Sequence, residues 1–113
     1  MEVITANSNS RIKELNKLNK DAKLRKDRDV FVVEGIRMFR ELPLQNVQEV
    51  YLSESALKEY RDEFKSMGVL DGRNTWILSD GVFAGVSQTK TPQGCMAVVK
   101  CMHYQLDSVL GRN

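Results

Sequence analysis

The sequence predicts an α/β domain, a small mostly parallel or mixed sheet of about four strands with helices on both faces, and three observations carry that prediction. Apolar residues recur at helical spacing in Ile12, Leu15, Leu18 and Ala22, then in Ile36, Phe39 and Leu42, then in Leu57, Tyr60, Phe64 and Met67. Short β-branched, aromatic or apolar runs lie between and after them: Val30 to Val33, Val47 to Leu52, Thr75 to Leu78 and Cys95 to Cys101. The two periods alternate along the chain, which is the order of a layered α/β domain. With 113 residues the chain can form one domain that hides roughly two thirds of its unfolded surface, and is too short for two ordinary ones.

Taken in order, Asn7 to Ser10 offers several N-cap residues, and the pattern is helical from Arg11 to about Leu24. On a wheel of about 100° per residue, Lys13, Lys17 and Lys20 cluster within about 60° of one another, opposite the apolar stripe. This lysine ridge continues into a basic arm holding Lys20, Lys23, Arg25, Lys26 and Arg28, which passes directly into the strand at Val30, read as buried. Glu34 and Gly35 close that strand in a tight turn before the next helix. A glycine there either supplies turn geometry alone or lets a backbone or an anion approach the helix N-terminus.

Pro43 ends that helix, and Val47 to Leu52 forms the second strand. Ser53 caps a helix that runs to a stop at Gly68. The outer face of this helix mixes Lys58 and Arg61 with Glu59, Asp62 and Glu63, which assigns it a structural role. Asp71 to Asn74 is a turn, Thr75 to Leu78 a strand, and Ser79 caps a brief helix that buries Val82, Phe83 and Val86. Thr89 to Gly94 reads as a loop, and the strand from Cys95 is apolar enough to lie inside the sheet.

Charge distribution says more than the net charge of +2. Residues 11 to 40 hold ten Lys and Arg against five acids, whereas residues 41 to 70 hold three against six, so the first segment is the candidate polyanion surface. Cys95 and Cys101 lie roughly 20 Å apart along one strand, too far for a disulfide within it, and are read as packed thiols. His103 is the only histidine, which leaves too few partners for a metal cluster or a Cys/His nucleophile pair. No apolar run reaches the length of a membrane span, and MEVITANSNS lacks the apolar core of a signal peptide, so a cytoplasmic protein is expected. The aromatic residues fall mostly at core spacing, which argues against an exposed stacking platform.

Several stretches together resemble one family. ITANSNSRIKELNKL, LRKDRDVFVVEGIRMFRE, VQEVYLSE, SDGVFAGVSQTKTPQG and CMAVVK are similar to the N-terminal substrate-binding domain of the SpoU/TrmH-like (SPOUT superfamily) RNA ribose 2'-O-methyltransferases. The resemblance covers nearly the whole chain, and its most specific parts are the basic block leading into FVVEG and the Thr91-Pro92-Gln93-Gly94 turn. It implies an L30e-like three-layer α/β/α sandwich over residues 1–102, with 103–113 as the start of a linker. It also implies that the catalytic SPOUT domain, which binds S-adenosylmethionine and forms the dimer, lies outside this sequence. No cofactor is then expected in this chain.

By the family pattern, Arg25, Glu34, Gly35, Arg37 and Pro92 to Gly94 fall at characteristic positions. Arg25 is expected to contact phosphate, because a guanidinium fork matches its oxygens. Glu34 is expected to act structurally, orienting Arg25 or Arg37 or capping the turn at Gly35, since an acid facing RNA repels it. Pro92 and Gly94 shape a turn, and Gln93 reaches either a base or a backbone group.

The expected function is RNA binding that presents structured rRNA or tRNA to a methyltransferase domain. The expected surface comprises Lys13, Lys17, Lys20, Lys23, Arg25, Lys26, Arg28, Arg37 and Gln93, with no metal and no membrane. A stand-alone L30e-like adaptor that binds RNA or protein is the alternative. A small hydrolase fares worst, because no acid and base pair, metal set or glycine-rich cofactor loop is visible.

Overall fold

The computed structural model describes residues 2–72 and 74–101. The chain folds as β1 (Val3–Ile4), α1 (Ser10–Lys20), α2 (Ala22–Arg28), β2 (Val30–Glu34) and α3 (Ile36–Arg40), followed by a 3-10 turn at Leu44–Asn46. Then come β3 (Val47–Ser53), α4 (Glu54–Glu59), α5 (Arg61–Met67), a 3-10 turn at Val69–Asp71, β4 (Thr75–Leu78), α6 (Asp80–Val86) and β5 (Cys95–Lys100). The five strands form one mixed sheet in the order β1-β4-β3-β5-β2. β1, β4 and β3 are parallel, and β5 runs antiparallel between β3 and β2. The expected fold class therefore holds, with five strands rather than about four. The additional strand is the two-residue β1, too short to show a period.

Each strand alternates its side chains between two apolar layers. Val33, Val50, Leu52, Ile77, Cys95, Ala97 and Val99 pack with Ile36, Phe39, Ala56 and Phe64 from α3, α4 and α5. Val30, Tyr51, Leu78, Met96 and Val98 pack with Ile12, Leu15 and Leu18 of α1 and with Val82, Phe83 and Val86 of α6. Consequently α1 and α6 cover one face of the sheet, and α3, α4 and α5 cover the other. β5 lies inside the sheet as its composition predicts, with every residue from Cys95 to Val99 buried. The Val30 to Val33 run differs from its reading as a buried strand: β2 is an edge strand, and Phe31 is 38% exposed.

Two helices break where the apolar period alone runs on. The backbone N–H of Asp21 closes α1 on the Lys17 carbonyl at 2.9 Å, while its carboxylate accepts from the N–H groups of Lys23 at 3.0 Å and Leu24 at 3.1 Å. One aspartate thus ends α1 and caps α2, so the expected helix to Leu24 is two helices and the basic arm is itself helical. Tyr60 likewise divides the helix expected from Ser53 to Gly68 into α4 and α5. Arg40 of α3 forks onto Glu63 of α5 at 2.6 and 3.0 Å, and this hydrogen-bonded pairing holds the Glu63 carboxyl below its ordinary range. The expected caps are in place: Ser53 accepts from Ala56 N–H at 3.0 Å, Ser79 from Val82 N–H at 3.2 Å, and Gly68 is left-handed at φ 80°.

Cys95 and Cys101 are both free. Burial pushes the Cys95 thiol up to about 12, so it remains protonated and unreactive. The expected tail from 103 onward, including His103, lies outside the described residues, as does Arg73 of the turn at 71–74.

Candidate nucleic-acid interface

Burying one stripe of α1 fixes what its opposite face shows. Asn9 caps the helix by accepting from Arg11 N–H at 2.8 Å, and Ile12, Leu15 and Leu18 are almost fully buried against the sheet. Lys13, Lys17 and Lys20 are consequently turned to solvent. The break at Asp21 folds α2 back so that Lys23 joins them: Lys13, Lys17, Lys20 and Lys23 line one shallow depression together with Asn16, Asp21, Ala22 and Leu24. None of the four lysines forms an ion pair among the described residues, whose ion pairs join Arg11 to Glu49, Arg28 to Glu14, Arg40 to Glu63 and Lys100 to Asp29.

The remaining cations of the expected surface separate from this group. Arg25 turns inward, and its Nη1 donates to the carbonyls of Leu18 and Asn19, both at 2.7 Å. Those carbonyls are among the unpaired acceptors at the end of α1, so Nη1 of the guanidinium acts as a C-terminal cap. Lys26 is exposed on α2 outside the depression. Arg28 pairs with Glu14 at 3.4 Å and lines a different depression with Arg11 and Glu49. Arg37 is exposed on α3, across the sheet from α1. A single basic surface reaching from Lys13 to Arg37 is therefore not formed, because the sheet lies between its two ends.

Glu34, Gly35, Pro92, Gln93 and Gly94 gather at the sheet rim where β1 to β4 end and β5 begins. Gln93 Oε1 accepts the N–H of Ile36 at 2.8 Å, which caps α3 from a residue 57 positions away. Gly35 has φ 104°, and a Cβ on it would lie 3.1 Å from the same oxygen. The Ile36 N–H at the start of α3 is thus already taken. Of the two readings of Gln93, the backbone contact is the one observed. Pro92 is exposed beside it. Glu34 meets neither Arg25 nor Arg37 but clamps the segment after α6, accepting from the Ser87 hydroxyl, from Gln88 N–H at 3.0 Å and from the Thr89 hydroxyl at 3.4 Å. Replacing Glu34 by alanine removes three hydrogen bonds, one part-buried at Ser87 and two exposed at Gln88 and Thr89 where water takes the carboxylate's place, and is expected to cost about 1 kcal/mol. Urea unfolding checks the loss, and hydrogen exchange at the Gln88 amide should accelerate with it.

Asn16 and Asn19 carry no signal in the sequence beyond their spacing from the lysines, yet both sit at the interface of α1 with its surroundings. Asn19 Nδ2 donates to the Val86 carbonyl at 3.0 Å, tying α1 to the end of α6. The aromatic side chains offer little for base stacking on this face: Trp76 stacks on Tyr51 with centroids 5.4 Å apart, and the Arg11 guanidinium lies 4.0 Å over the Trp76 ring. Among the described residues no group of His, Cys, Asp and Glu is placed to hold a metal ion, and no helix is long and apolar enough to cross a membrane.

Comparison with known proteins adds to this geometry. Residues 9–97 match the family model of the MRM3-like substrate binding domain. No curated protein sequence matches the chain. Among solved structures, an rRNA methyltransferase from Sinorhizobium meliloti superposes with a TM-score of 0.70 at 14% identity, over 91% of this chain and 38% of that one. The AdoMet-bound form of that protein gives 0.69 at the same identity and coverage. An RNA 2'-O ribose methyltransferase gives 0.67 at 25% identity, over 93% of this chain and 40% of that one. The chain thus spans about two fifths of the length of these structures.

Proposed function

Since the chain belongs to the MRM3-like substrate binding domain family, we propose that it holds structured RNA, ribosomal or transfer, for a ribose 2'-O-methyltransferase domain. The observation that carries this reading is the depression on α1 and α2, where Lys13, Lys17, Lys20 and Lys23 converge without an ion pair among the described residues. Four ammonium groups, none held in an ion pair among the described residues, outnumber the single acid Asp21 in the depression and match the regular negative charge of an RNA backbone. The names of the solved neighbours, two of them rRNA methyltransferase structures and one an RNA 2'-O ribose methyltransferase, support the same partner. In this reading S-adenosylmethionine serves the part of such enzymes that this chain does not span, and any dimer forms there as well.

Phosphate contacts make a specific salt signature. Neutralising about four phosphates predicts that log K falls against log salt with a slope of about −3 to −4, or about a hundredfold in affinity between 50 and 200 mM. Fluorescence anisotropy with a labelled RNA hairpin measures it. A slope near zero would remove the lysine depression from the account.

A further inference from the structure

We propose that the depression lined by Arg11, Glu14, Arg28 and Glu49 holds one unpaired guanine base of the bound RNA. The proposal rests on the reading of the lysine face as an RNA surface and goes beyond it, because lysine contacts to phosphate are the same for every sequence. A base pocket beside the lysines supplies selection.

The charges of this depression decide what fits it. Two arginines and two glutamates line its 290 Å³ together with Leu15 and Leu18, and their formal charges cancel. A phosphate is repelled by the carboxylates and an amine by the guanidiniums, whereas a neutral ring with donors and acceptors on its edges suits both. Its ion pairs are loose: Arg11 Nη1 lies 3.6 Å from Glu49 Oε2 and Arg28 Nη2 lies 3.4 Å from Glu14 Oε2, with the four side chains 31% to 51% exposed. Such pairs contribute little to stability and exchange readily for a ligand. The volume is close to the lower end of about 300 Å³ for ligand sites, which suits a single base.

Arg11 and Glu49 are already held in place. The Arg11 guanidinium lies 4.0 Å over the Trp76 ring, which itself stacks on Tyr51. Arg11 lines the depression and Trp76 does not, so the indole supports the guanidinium from behind. A guanidinium plane is a stacking surface for an unpaired base. Glu49 Oε1 accepts the Tyr51 hydroxyl at 2.6 Å, which fixes the carboxylate at the depression. Guanine alone presents two adjacent donors to such a carboxylate, N1–H and the N2 amine, and its O6 and N7 accept from an arginine such as Arg28. Adenine and cytosine place a ring acceptor beside their amine, and uracil flanks its one N–H with carbonyls, so each sets a lone pair against Glu49. Glu14 precedes Lys17 by three residues, so the rim of the depression meets the lysine ridge on the surface of α1.

Fluorescence anisotropy tests this with labelled RNA hairpins that share one stem and a uridine loop, and carry guanosine, inosine or adenosine at a single loop position. The full chain is expected to bind the guanosine loop about tenfold more tightly than the adenosine loop and about threefold more tightly than the inosine loop, which lacks the N2 amine. Glu49→Gln, which keeps an acceptor for Tyr51, should bring both ratios close to one. Arg11→Lys, which keeps the charge and loses the plane, should weaken the guanosine loop about fivefold. Equal wild-type affinity for the three loops, or ratios unchanged in Glu49→Gln, overturns the pocket. Lys17→Glu/Lys20→Glu separates the two claims: an equal loss for all three hairpins retains the lysine surface whatever the loop ratios, and no loss for any of them overturns that surface and the proposal with it. Free guanosine monophosphate should compete only in the millimolar range, because it forgoes the lysines; competition at micromolar concentration makes this a nucleotide site and overturns its assignment to RNA.

Discussion

Gly94→Ala is expected to destabilise the domain by about 3 kcal/mol or more, and Gly68→Ala by only about 1 kcal/mol. Both glycines have positive φ, 85° and 80°, so both substitutions carry the backbone cost of a left-handed alanine. They differ in what surrounds the new methyl group. At Gly68 nothing lies within 4 Å, whereas a Cβ at Gly94 would sit 2.2 Å from Ser53 Oγ and 2.6 Å from the Ala56 Cβ. Neither neighbour can step aside cheaply. Ser53 is buried, its hydroxyl caps α4, and its N–H is bonded to the Gly94 carbonyl at 2.8 Å. The methyl must therefore separate the end of β3 from the start of β5, at the rim of two interior strands. Urea midpoints for the two variants measure the difference, and equal losses would mean that φ alone sets the cost.

Such contacts mark the limit of what was legible in the chain. The apolar faces of α1, α5 and α6 follow from period alone, because burial of one side of a helix is a local consequence of spacing. The strands at Val47 and Thr75 were legible for the same reason, as were the caps at Ser53 and Ser79. The double role of Asp21 was not, since an aspartate within a helical pattern reads as one more solvated residue until its carboxylate is seen competing for the backbone. A run of five cations likewise carries no sign that Arg25 alone turns inward, where the end of α1 leaves carbonyls unpaired. Glu34 and Gln93 stood out as motif residues, but their partners Ser87 and Ile36 lie 53 and 57 positions away, and only the closed sheet brings them together. The same sheet divides Arg37 from the lysines, which sequence proximity had joined.

Charge reversal at Lys17 and Lys20 should abolish most RNA affinity while leaving the fold intact. Both side chains are exposed, neither forms an ion pair among the described residues, and both line the one depression. Each substitution removes an attractive contact and adds a repulsive one at the same place, so the pair is expected to lower affinity at least about thirtyfold at low salt. Arg25 is unsuited to this test, because reversing it would also uncap α1. The matched control is Lys58→Glu/Arg61→Glu: it changes net charge equally, at two exposed residues of α4 and α5 on the other face of the sheet. Filter binding of both double variants to one RNA hairpin, at low salt and with circular dichroism to confirm folding, tests the central claim most directly. The account predicts a large loss for Lys17→Glu/Lys20→Glu and a change within about threefold for the control; equal losses would contradict it and reduce the lysine face to a solvated one.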